Sequence, residues 1–315
     1  MSLATFIGQL FAGLGLAFVL FFTAAGLNLV WGVLGVMNFA AGAVYMLGAY
    51  LTTSVIARLG ASALGWTVAL IAVPLAVAAL GAVAEVALLR RTYREEDENR
   101  QFMLTLALSY LIAGGVVLVW GTHFRTVSLP RALSGSWSVL GATLPVYTFV
   151  TIALGLAVTV AIWFGLYRTR AGLLTRAAVD DREMLAVLGV NVDRLYSAVF
   201  AVGIGLGALG GVLVAPQGAV SSNLETTALV PAFIVVVTGG LGNMPGALMA
   251  ALAIGILESF AALHDATLAQ LTPYVVMSVV LGARALAGRR GWSAAAQLRA
   301  RRTRRERAPA GSTAG

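Results

Sequence analysis

Residues 168–194, RTRAGLLTRAAVDDREMLAVLGVNVDR, are the one polar interval in the second half of a chain that is otherwise nearly continuous hydrocarbon. With five Arg and four acids between two long apolar runs, the stretch reads as a connection outside the hydrocarbon. Asp180, with Glu183 three residues on, makes a capping-box arrangement at a helix start, and Gly189 supplies a stop where φ turns positive. Asn191 then caps the next helix, with Asp193 in its first turn. The connection is therefore expected to be a two-turn helix held at both ends, not slack linker. Met184, Leu185, Val187 and Leu188 are out of place in so charged a setting. They suit an amphipathic turn lying on the membrane or on its own helices, or a knob that docks on a separate protein. We read them as the second.

Composition sets the class. The chain has 315 residues, 59% hydrophobic and 11% charged, with a mean hydropathy of +0.90, whereas soluble domains carry roughly 25% charged residues. Apolar runs of about 20 residues recur, each long enough to cross the bilayer as a helix. The expected fold is all-α: a polytopic transmembrane bundle of about eight or nine spans with broken or re-entrant segments. The short alternating segments of a barrel are absent. The N-terminus has no basic region ahead of its apolar run, so no cleavable signal peptide is expected. There is no cysteine, which excludes disulfides and thiolate sites. All 21 basic residues are Arg. Without a lysine the chain cannot be a conventional P-loop ATPase. Its net charge of +8 comes mostly from Arg flanking apolar spans, where such residues orient a membrane protein; no nucleic-acid partner is expected.

Working outward, no charge occurs from Thr5 to Ala57. Two helices and a broken piece are expected there, the break running from Gly26 through Asn28, Gly32, Gly35 and Asn38 to Gly42. Intramembrane Asn28 and Asn38 are candidates for a solute pathway or for interhelical hydrogen bonds. Further spans are expected near 65–89, with a kink at Pro74, and near 102–120, 146–167, 195–215, 247–262 and 271–286, with a shorter apolar segment at 227–237. Glu85 is read as solvated near the interface, and Glu258 as snorkelling to one end instead of lining a polar path. His123 stands alone in the connection 121–145, so no metal site is expected. In the 195–215 span, Gly205, Gly207 and Gly210 match a dinucleotide fingerprint, but no strand precedes them. Gly203, Gly207 and Gly211 are four apart on one helical face, the pattern that lets helices approach closely.

Arg residues fall four in the 90–100 connection, five in 168–194 and nine from Arg284 to Arg307, leaving three elsewhere. The positive-inside rule places those three segments in the cytoplasm, the C-terminus included. Parity then puts the N-terminus outside for about nine crossings; eight result if the early broken region does not fully cross. Residues 1–288 form the membrane domain and 289–315 a basic, disordered tail able to touch anionic lipid.

Three stretches together resemble the inner-membrane permease subunits of branched-chain amino acid ABC importers. They are Asn38-Phe39-Ala40-Ala41-Gly42 with Tyr45-Met46-Leu47-Gly48-Ala49-Tyr50; the loop from Ala177-Ala178 through Asp180, Asp181 and Ala186 to Gly189-Val190-Asn191; and Gly239-Gly240-Leu241-Gly242-Asn243-Met244-Pro245-Gly246. The second is similar to the EAA-type motif with which permeases grip their ATPases. The resemblance implies two ATPase subunits that bind the ATP, a second permease chain, an extracytoplasmic solute-binding protein and a bacterial inner-membrane location. This chain is then a transport subunit with no cofactor of its own, and Tyr45 and Asn243 join Asn28 and Asn38 as pathway candidates. Where the family often has His-Gly-Glu after Asn-Phe-Ala, this chain has Ala41-Gly42-Ala43. Relatives that move urea, short amides or aromatic acids therefore stand as alternatives for the solute.

The residues themselves point the same way. A chain with no ATPase motif, but with a structured, apolar-bearing loop, lacks the parts to pump alone. The rival is a stand-alone secondary carrier, which more typically shows buried acids or paired charges for coupling ions. Two isolated His and no clustered acids supply no catalytic set for a membrane enzyme.

Overall fold

The structure is a computed structural model describing residues 2–90, 98–139 and 141–306. Most of the 90–100 connection and the last residues of the tail therefore lie outside the described residues. Helix α1 (Leu3–Leu34) starts on Ser2, whose hydroxyl accepts from Thr5 N, and ends at Gly35, φ 71°. It runs unbroken through Gly26, Asn28 and Gly32, so the expected break contracts to residues 35–40, after which α2 (Ala41–Leu59) begins. The early glycines serve contact instead: a Cβ on Gly26 would lie 2.2 Å from the Gly203 carbonyl oxygen, and one on Gly32 2.6 Å from Gly242 Cα.

Helix α3 (Ala63–Ala84) contains Pro74 and passes into a π turn, Glu85–Leu89. After α4 (Glu98–Trp120), β1 (Ser136–Val139) and β2 (Ala142–Pro145) form an antiparallel hairpin with Ser136 opposite Pro145. Next come α5 (Val146–Arg168), α6 (Arg170–Asp180), α7 (Arg182–Val187) and α8 (Val192–Val214). The chain finishes with α9 (Leu224–Gly239), α10 (Met244–Ala261) and α11 (Ala266–Glu306). Among the described residues, seven helices are long and apolar enough to cross a membrane: α1, α3 with its π turn, α4, α5, α8, α10 and the first part of α11. The less apolar α2 and the 16-residue α9 complete the bundle. Helix α11 runs to Glu306. Ala, Arg, Gln and Leu dominate its last part, and all are strong helix formers.

Contacts fix the directions. Ser259 Oγ of α10 donates to the Gln9 carbonyl of α1 at 2.9 Å, while Gly32 of α1 meets Gly242 just before α10, so α1 and α10 are antiparallel. Tyr147 OH donates to the Leu213 carbonyl at 2.7 Å, joining the start of α5 to the end of α8 at the Gln9 end. Glu85 and Arg90 meet Ser197, joining the end of α3 to the start of α8 at the other end, where α6 and α7 also lie. Helix α9 begins part-way along the bundle. Its Glu225 accepts from Ser109 Oγ, midway along α4, at 2.5 Å, and the Glu225 carbonyl oxygen sits 2.3 Å from where a Gly42 Cβ would be.

Helices α1 and α8 form the centre. On α8, a Cβ on Gly203 would lie 2.8 Å from the Gly26 carbonyl oxygen, one on Gly211 1.9 Å from the Tyr45 carbonyl oxygen, and one on Gly207 3.4 Å from Val44 Cγ1. The glycine face therefore packs on α1 at one point and on α2 at the others. Outward, α3, α4 and α5 expose Leu75, Leu111, Leu118 and Phe164, the apolar exterior of a protein solvated by lipid.

Candidate functional site

Two features stand at opposite ends of the bundle. At the Arg-rich end, Thr169 Oγ1 accepts from Gly172 N at 3.1 Å and starts α6, a helix absent from the sequence expectation. Because α6 runs through Asp180, the cap of α7 moves on by one: Asp181 Oδ1 accepts from Met184 N at 2.9 Å, with Glu183 in the first turn. Gly189 takes φ 82° and donates to the Ala186 carbonyl at 3.0 Å. Val190 follows half-buried, and Asn191 Oδ1 accepts from Arg194 N at 3.0 Å to open α8.

The apolar residues of α7 divide. Leu185 is 5% exposed and belongs to the protein's own core with Ala178, while Ala177 is half-buried. Met184 is 57% exposed, Val187 82% and Leu188 72%, and Val179 at the end of α6 is exposed beside them. The outward knob is therefore Met184, Val187 and Leu188, without Leu185.

Behind this segment lies a polar cluster that sequence reading misses. Glu85, expected to be solvated, is fully buried. Its carboxylate accepts from Ser197 Oγ and lies 3.5 Å from Arg90, while Arg90 donates to Ser197 Oγ at 2.7 Å. The π turn widens the helix where Glu85 begins it, and the burial places a carboxylate against the first turns of α8. No periodicity in the sequence signals a π turn.

The four pathway candidates do not share one site. Asn28 is fully buried; its Oδ1 accepts from Gly242 N at 2.8 Å, and it lines a 370 Å³ pocket with Gly242, Met244 and Arg176. Asn38 is buried and accepts from Ala40 N at 3.1 Å, turning the chain into α2. Asn243 caps α10 by accepting from Gly246 N at 3.1 Å. Tyr45 lines a different cavity.

That cavity, 480 Å³, opens between α1, α2, α9, α10 and α11, on the Gln9 side of the bundle. Thr23, Tyr45, Thr226, Glu258, Gln270 and Tyr274 bring polar groups to its wall. Glu258, read from sequence as snorkelling, is instead half-buried on this wall, since α11 covers the side on which it would reach out. Among the described residues no cluster of His and acids could hold a metal ion, and His123 is exposed.

A bundle of apolar helices, with a structured knob at one end and a cavity carrying a few polar groups at the other, is the architecture of a multi-pass membrane protein. Residues 9–281 match the family described as "Branched-chain amino acid transport system / permease component", and the chain belongs to that family. It is 30% identical over 285 residues to the high-affinity branched-chain amino acid transport system permease protein LivH of Escherichia coli K12, covering 83% of this chain and 88% of that one. The corresponding protein BraD of Pseudomonas aeruginosa is 28% identical over 274 residues, covering 82% and 86%. Among solved structures, PsaBC from Streptococcus pneumoniae in complex with Fab aligns with 89% of this chain and 95% of that chain at a TM-score of 0.49 and 13% identity.

Proposed function

We propose that this chain forms the membrane pathway of an ATP-driven importer of branched-chain or related amino acids, and that α6 and α7 dock it on separate ATPase subunits. The observation that carries this reading is the exposure of Met184, Val187 and Leu188 on a helix capped at both ends. Apolar side chains held out on a rigid, charged-flanked knob match a partner's cleft, where a few such residues supply most of the binding energy. The helix directions put this knob at the same end as Arg90, and the Arg asymmetry supports a cytoplasmic location for that end. The cavity then faces outward, toward an extracytoplasmic binding protein, and a second permease chain completes the pathway. The inner membrane is its location, with the C-terminus in the cytoplasm. Glu85 and Arg90, the paired charges a secondary carrier would use, sit at the helix ends and tie α3 to α8.

Co-purification of the ATPase subunits, and leucine-stimulated ATP hydrolysis in proteoliposomes containing the whole complex, are the expected results. Full leucine transport by this chain with no ATPase present would overturn the reading in favour of a carrier.

A further inference from the structure

Among the described residues, Glu258 is the only formally charged side chain on the wall of the 480 Å³ cavity, and its carboxylate makes no hydrogen bond or ion pair. A half-buried carboxylate on a wall it shares with Leu16, Val19 and Val230, with no partner of its own, is a site for a cation. Opposite charge is not the only demand the wall makes. Thr23 also lines the cavity, with its hydroxyl turned onto Gly210 of α8. The first turn of α9 reaches the same wall through Leu224, Thr226 and Thr227, and Asn223 gives it no side-chain cap. Uncapped N–H groups at a helix N-terminus favour a negative group. Glu225, whose charge would oppose one there, lies outside the lining, and its carboxylate is tied to Ser109 on α4.

We propose that this cavity is a seat for a zwitterionic aliphatic α-amino acid: Glu258 takes the ammonium, the start of α9 takes the carboxylate, and Leu16, Val19 and Val230 take the side chain. The volume lies within the roughly 300–1,000 Å³ of small-molecule sites. Among the described residues no cation lines the wall, so the carboxylate end relies on neutral donors and the ammonium end carries the charge selection. The proposal rests on the transport reading for its choice of ligand, and it adds that the membrane chain itself reads the amino group.

The absence of cysteine makes a direct test available, because Gln270→Cys places a single thiol of this chain on the cavity wall. In the assembled transporter, leucine should slow modification of that thiol by a methanethiosulfonate reagent. Both 4-methylpentanoate, which lacks the ammonium, and 3-methylbutylamine, which lacks the carboxylate, should protect less well, the former by roughly tenfold or more in concentration. Adding Glu258→Gln should erase the difference between leucine and 4-methylpentanoate, while Glu258→Asp should keep it. Without any ligand, a cationic reagent should outpace an anionic one at the introduced thiol, and Glu258→Gln should remove that preference. Equal protection by leucine and 4-methylpentanoate in the cavity with Glu258 intact overturns the proposal. So does retained discrimination in the Glu258→Gln protein, or no protection in a preparation that takes up leucine with ATP; that last result leaves the transport reading standing. Selective protection in a preparation with no ATP-driven uptake supports the seat and overturns the transport reading instead.

Discussion

Gly211 is the tightest point of the α8 face: a Cβ there would meet the Tyr45 carbonyl oxygen at 1.9 Å and Ala49 N at 2.9 Å. Both neighbours are backbone and cannot swing aside. Gly211→Ala is therefore expected to lower stability by about 1–3 kcal/mol, seen as an earlier unfolding midpoint in detergent. Gly207→Ala should be nearly silent, because its Cβ finds ordinary contact at 3.4 Å from Val44 Cγ1. Equal midpoints for the two variants would refute this ranking. Asn28→Ala should also destabilise, by roughly 1–3 kcal/mol, since it leaves Gly242 N with no acceptor inside the bundle. The four-residue spacing of Gly203, Gly207 and Gly211 made their common face legible. Which of them touches backbone was not, because that depends on what α1 and α2 present opposite. Glu258 was misplaced for a related reason: the helix that covers it begins only at Ala266, and one sequence does not say which neighbour a span receives.

For a helix as short as α7, the ends were more legible than the faces. Gly189 and Asn191 declare themselves by chemistry, as a residue able to hold φ 82° and a side chain able to accept from Arg194 N. Six residues make fewer than two turns, too few to establish a 3.6-residue periodicity, so Leu185 and Leu188 looked alike, and only packing separates them. Val187→Arg and Leu188→Arg are expected to leave insertion and folding intact while sharply reducing ATPase co-purification and leucine-stimulated ATP hydrolysis. Leu185→Arg should act differently. It buries an unpaired charge among the protein's own side chains and costs about several kcal/mol, so the chain itself should become protease-sensitive at this segment. Docking lost in Leu185→Arg alone, with Val187→Arg and Leu188→Arg fully coupled, would move the interface elsewhere. Gly189→Val should resemble the docking variants, because a β-branched residue resists the left-handed conformation by roughly 1–3 kcal/mol and redirects α7.

Across the whole molecule the helix directions make one prediction about sidedness. Single cysteines replacing Arg182 and Ser136 lie at opposite ends, in a chain with no other thiol, so in intact cells an impermeant thiol reagent should label position 136 and spare position 182. Labelling of position 182 from outside would invert the bundle. The polytopic helical class followed from hydropathy alone, because hydropathy is a sum over many residues that no single contact can reverse. The central place of α1 was illegible, since its partners are chosen by glycines some two hundred positions away: Gly26 with Gly203, and Gly32 with Gly242. That separation has a consequence for biosynthesis. Helix α1 leaves the ribosome long before the surfaces that fit its glycines are made. At about 5–20 residues per second, Gly32 waits on the order of 10–40 seconds for Gly242 to exist. Throughout that interval the growing chain holds an unmatched glycine seam inside the bilayer, so a transcript truncated after α5 yields a protein whose central helix never finds its mates and which quality control should remove.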